Sequence, residues 1–129
     1  MIVSKNELKR RTIKISEKDI LTEELQATAQ KKLEENIEKN GDSYKTLQTT
    51  IKELNNTFKT ELNKKYNNIR DFKPLDAEMN KFTIEYRNFY NPVYKPVTTQ
   101  EEIRELAEAL ADDLEGYIYQ ALSGIRFTI

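Results

Sequence analysis

Residues 44–69 read YKTLQTTIKELNNTFKTELNKKYNNI, and this stretch decides the fold class. Tyr44, Leu47, Ile51, Leu54, Phe58, Leu62, Tyr66 and Ile69 recur at spacings of three and four, which lays one apolar stripe along a helix. A helix over 42–69 is predicted, roughly 37–40 Å long at 1.5 Å per residue. Its opposite face carries Lys45, Lys52, Lys59 and Asn63.

The flanking segments repeat the pattern. Leu21, Leu25, Ala29, Leu33 and Ile37 predict a helix over 16–40, with Ser16 and Asp19 as a capping-box-like start and Asn40-Gly41 as the stop. Asp42 or Ser43 can cap the next helix at once, so the turn is short and the two helices run antiparallel. After a linker over 70–74, Asp76 is a natural N-cap, and Met79, Phe82, Tyr86 and Phe89 predict an aromatic helix over 76–90. Asn91-Pro92 is expected to end it, and 92–96 reads as an extended connector because each Pro disfavours helix just before itself. Thr98 and Thr99 each have Glu three residues on, so a capping box opens the last helix, 98–123. Ile103, Leu106, Leu110, Leu114, Tyr117, Ile118, Ala121 and Leu122 form its apolar face, and Ser123-Gly124 ends it. Thr12 to Ile15 and Ile125 to Ile129 alternate apolar and polar residues and read as short strands. The predicted architecture is an all-α antiparallel helical bundle, three long helices plus one shorter aromatic helix, with β segments at both termini in one domain over 1–129.

Composition narrows the chemistry. The 129 residues include no Cys, His or Trp, which removes disulfides, thiol nucleophiles, imidazole acid-base catalysis and the usual zinc ligands. Three glycines form no phosphate-cradling loop. Only a carboxylate-based hydrolase stays chemically open, and helix periodicity alone places every acidic pair, so no enzyme, cofactor or metal is expected. No stretch approaches the roughly 20 apolar residues of a membrane span, and no signal-peptide core follows Met1, so a cytoplasmic or virion location is expected, with no membrane partner.

Charge is balanced overall at −1 but unevenly laid out. Residues 1–16 carry Lys5, Lys9, Arg10, Arg11 and Lys14 against Glu7 alone, a basic arm. Segment 98–124 holds seven acids and one Arg. Within it Glu101, Glu105, Glu108 and Asp112 fall within about 60° of one another at 100° per residue, one ridge opposite the apolar stripe. Such a ridge lacks the alternating Asp and Gly of a calcium loop and reads as a solvated or partner-facing surface. Tyr90 and Tyr94 fit the aromatic helix's core stripe poorly and suggest an interface hot spot. Ile125, Phe127 and Ile129 make a sticky terminal edge that must be covered, either by Thr12 to Ile15 or by a partner's sheet.

These features predict a structural or adaptor subunit that binds protein, chiefly its own copies, through the arm, the ridge and the terminal strand. By fold-level analogy such a bundle suits a phage virion connector. Two alternatives follow from the same residues: a nucleic-acid-binding protein using the arm with Lys45, Lys52 and Lys59, or a small phage anti-defence inhibitor of one target protein.

Overall fold

The computed structural model describes residues 10–93 and 99–128. The elements are β1 (Arg10–Thr12), α1 (Ile15–Asn40), α2 (Tyr44–Lys65), α3 (Lys73–Val93), α4 (Gln100–Gly124) and β2 (Arg126–Thr128). Contacts between helices fix the topology. Tyr66, just after α2, reaches Glu17 near the start of α1; Asn55 reaches Asp76; Tyr86 reaches Asp113; and Gln100 reaches Glu38. Each neighbouring pair is therefore antiparallel, and α4 closes the ring against α1, an up-down-up-down four-helix bundle.

The apolar stripes meet in one core. Leu21, Leu25, Leu33, Leu54, Phe58, Leu62, Phe82, Leu114 and Ile118 are all buried in it. The α1–α4 pair packs most extensively, and Ala29, Ala107 and Ala111, each fully buried, are the small residues that permit it. Apolar spacing accounts for most of these positions, including fully buried Leu75, four residues before Met79 though ahead of the predicted helix start, but not for Thr50, a polar residue in the core. Thr50 is satisfied there because its hydroxyl donates to the Thr46 carbonyl at 2.7 Å and accepts from the Asn36 amide at 2.8 Å, a link between α1 and α2.

Several element ends differ from the sequence reading. Helix α1 begins at Ile15, its N-cap is Lys14 without a side-chain cap, and Ser16 lies inside the first turn. Ile13, two residues before that start, is buried in the core. The stop is as expected: Gly41 takes a φ of 86°, left-handed backbone that glycine tolerates best. Ser43 caps α2 by accepting from the Thr46 N–H at 3.2 Å. That helix ends at Lys65, short of Ile69, since Tyr66 turns extended and Asn68 adopts a φ of 56°. Helix α3 starts at Lys73, where Asp71 accepts the free N–H of Lys73 at 2.8 Å and Pro74 sits in the first turn, so Asp76 is not the cap. It also runs through Pro92 to Val93, so that proline falls in the last turn and does not end the helix before it. At 21 residues α3 is nearly as long as the 22-residue α2, so no helix is markedly shorter. The capping box of α4 forms on Thr99 with Glu102. Gly124 still lies within α4 and has no positive φ, so it does not stop the helix by a left-handed cap.

Candidate functional site

The N-terminal strand lies at Arg10–Thr12 and not over Thr12 to Ile15, the C-terminal strand is Arg126–Thr128, and the two pair with each other. Strands β1 and β2 run antiparallel with Arg11 opposite Phe127 and Thr12 opposite Arg126. Of the two ways expected to cover the terminal edge, the chain uses pairing within itself and not a partner's sheet. Ile125 is fully buried in the core, and the Phe127 ring packs 4.5 Å from that of Tyr66. Both apolar side chains are spent inside the chain. Lys5, Lys9, Tyr94 and Ile129 lie outside the described residues, as do the side chains of Arg10 and Tyr90.

Pairing the two termini builds a basic pole. The ribbon, the start of α1 and the α2–α3 connection meet there and expose Arg11, Lys14, Arg70, Lys73 and Arg126. None of these five forms an ion pair with another described residue. The Lys18 ammonium sits 5.0 Å over the Tyr119 ring and donates to Ser123 at 3.2 Å, tying α1 to the end of α4. Antiparallel topology thus gathers cations from distant parts of the chain, a convergence that linear charge counting finds only in part.

Tyr66 anchors this pole. Its hydroxyl donates to Glu17 at 2.7 Å, and burial, reinforced by that carboxylate, pushes its pKa far above the ordinary tyrosine value. A folded-state pKa raised above the unfolded one stabilises the protein fully below about pH 10, and this stabilisation is lost as pH rises beyond it. Tyrosine absorbance, free of tryptophan, should therefore include a late phase in which the Tyr66 phenol ionises only with alkaline unfolding. Tyr66→Phe should abolish that late phase and cost about 1 kcal/mol at neutral pH; an unchanged late phase would assign it to another tyrosine.

The acidic ridge lies where periodicity puts it. Glu101, Glu105, Glu108 and Asp112 are all exposed, opposite buried Ala107, Leu110 and Leu114. Arg104 stands 3.8 Å from both Glu101 and Glu108, and Asp112 accepts from the Gln26 amide at 3.0 Å, whereas Glu105 faces solvent. Among the described residues no three carboxylates converge as a metal site. The ridge starts at the end of the bundle away from the ribbon, so basic pole and acidic N-terminal half of α4 are separate surfaces.

Helix α2 does not supply a lysine ridge to the basic pole. Lys59 is only partly exposed, pairs with Asp76 at 2.8 Å and lies 5.9 Å over the Phe72 ring. That lysine and the Asn55 amide hold the Asp76 carboxyl below its ordinary pKa. Lys45 lies at the opposite end of α2 from the ribbon, about 20 Å along the helix from Lys59. A groove of about 250 Å³ runs between α2 and α3, rimmed by Lys52, Asn55, Asp76 and Asn80 above Ile51 and Met79.

Fold and surfaces define an all-α four-helix bundle closed at one end by a ribbon made from its own termini. No protein family, curated protein or solved structure matches the chain. Among the described residues no helix is long and apolar enough to cross a membrane.

Proposed function

We propose that this chain is a non-enzymatic assembly subunit that associates with its own copies, the basic ribbon pole of one against the acidic ridge of another. One observation carries the reading: the termini pair to build a pole whose five exposed cations find no carboxylate partner among the described residues, while the ridge on α4 lies apart from it. Opposite charge on separate surfaces of one chain favours contact between copies and steers their encounter. Of the other charged groups at this pole, Glu17 accepts from Tyr66, Lys18 donates to Ser123, and Asp71 accepts from the backbone N–H of Lys73.

Molar mass by light scattering behind a size-exclusion column tests it. An oligomer at low salt that dissociates at high salt is expected, since exposed charges are screened over roughly 10 Å at 0.1 M. Arg11→Glu with Arg126→Glu should weaken association about tenfold or more, and adding Glu105→Lys with Glu108→Lys should restore part of it. A monomer at every salt concentration would overturn the reading.

A further inference from the structure

Helix α4 contains a glycine that the fold does not use. Gly116 lies inside the helix and is exposed; a Cβ built there meets nothing within 4 Å, and its backbone φ is not positive. Glycine inside a helix is less favourable than alanine because it surrenders more backbone freedom and contributes no side chain. Neither turn, strain nor close approach within the chain calls for it.

The position of Gly116 relative to the charges is specific. At 100° per residue, Glu105 and Asp112 lie within about 20° and 40° of Gly116, so the glycine sits on the acidic ridge itself, facing away from the core. Glu105 is about 16 Å along the helix on one side of Gly116; the helix end is about 12 Å away on the other, with Arg126 just beyond it. These lever arms match. A two-fold axis through Gly116 would bring Glu105 and Glu108 of each copy towards Arg126 of the other, and the charge pairs would form twice. Parallel docking of the same faces would set acid against acid.

We propose that the outer face of α4 docks antiparallel on the same face of a second copy, with Gly116 at the two-fold axis, where the missing side chain lets the two helices approach closely. This inference rests on the self-association proposed above and gives it a geometry: a closed, isologous pair.

The intact chain supplies the test. Gly116→Ala should raise the thermal midpoint of the dissociated chain by about 2–5 °C, because alanine is the better helix former. Gly116→Leu, also a good helix former, should weaken association at least tenfold in a dilution series at low salt. The native sequence has no cysteine, so Gly116→Cys introduces a single thiol. Mild oxidation should couple two copies through it far faster than through Ile84→Cys, an exposed position on α3. If the unaltered chain associates but Gly116→Leu associates equally well, or if the Gly116→Cys variant couples no faster than the α3 control, the two-fold geometry is wrong and self-association stands. If the unaltered chain is monomeric throughout, both fail.

Discussion

Phe82→Ala is expected to lower the free energy of unfolding by about 3–5 kcal/mol, the range for deleting a large aromatic from a close-packed core. Phe82 is fully buried, and its ring stands 4.6 Å from Tyr86 and 5.1 Å from Tyr117, the latter edge-on. The two tyrosines are also tied across the α3–α4 interface, Tyr86 donating to Asp113 and Tyr117 to Glu85. Their hydroxyls hold the rings at the periphery while Phe82 fills the space between them and the core. Removing it takes away both the transfer free energy of the ring and contacts its neighbours cannot recover, since collapse would break one or both hydroxyl bonds. Urea unfolding should show a lower midpoint with little change in slope. A loss below about 1 kcal/mol would mean that the site collapses freely and that the tyrosine bonds do not hold the rings.

Gly124→Ala is the second large effect, expected to cost about 1–3 kcal/mol by overpacking. A Cβ at Gly124 would lie 2.7 Å from Pro74 Cβ and 3.0 Å from Pro74 Cγ. Proline ring atoms have no rotamer that moves them aside, so the strain passes to the backbones of α3 and α4, which must separate. The effect should be specific to that neighbour. In a Pro74→Gly background the same substitution should be close to neutral or mildly stabilising, giving a coupling energy of about 1 kcal/mol or more in a double-mutant cycle. Equal costs in both backgrounds would place the strain elsewhere.

The same two sites mark the reach of local pattern. Spacing with Met79 and Tyr86 assigns Phe82 to the core, and it is there. Gly124 reads as a helix stop, a role glycine commonly takes; it is helical, and the close approach of Pro74 from α3 is what requires it. The two polar surfaces divide likewise. All four ridge carboxylates follow from the period of a single helix, and all four are exposed. Lys59 follows from the same rule as a solvated ridge lysine, yet it is bound to Asp76 of α3, because a rule about one helix holds no information on its neighbour.

The chain's own pattern determined the four helices and their buried faces, since the 3.6-residue period and the apolar spacing are local properties that most core positions here obey. It also determined which catalytic chemistries lack their side chains. Only the tertiary structure decided that the terminal strands close on each other, that Ile125 and Phe127 are packed away by that closure, and that cations from both termini and the α2–α3 connection share one pole. Those outcomes depend on pairing between residues at opposite ends of the chain, for example Arg11 with Phe127. The entropic cost of bringing them together is met by packing in the whole bundle, which no local stretch records.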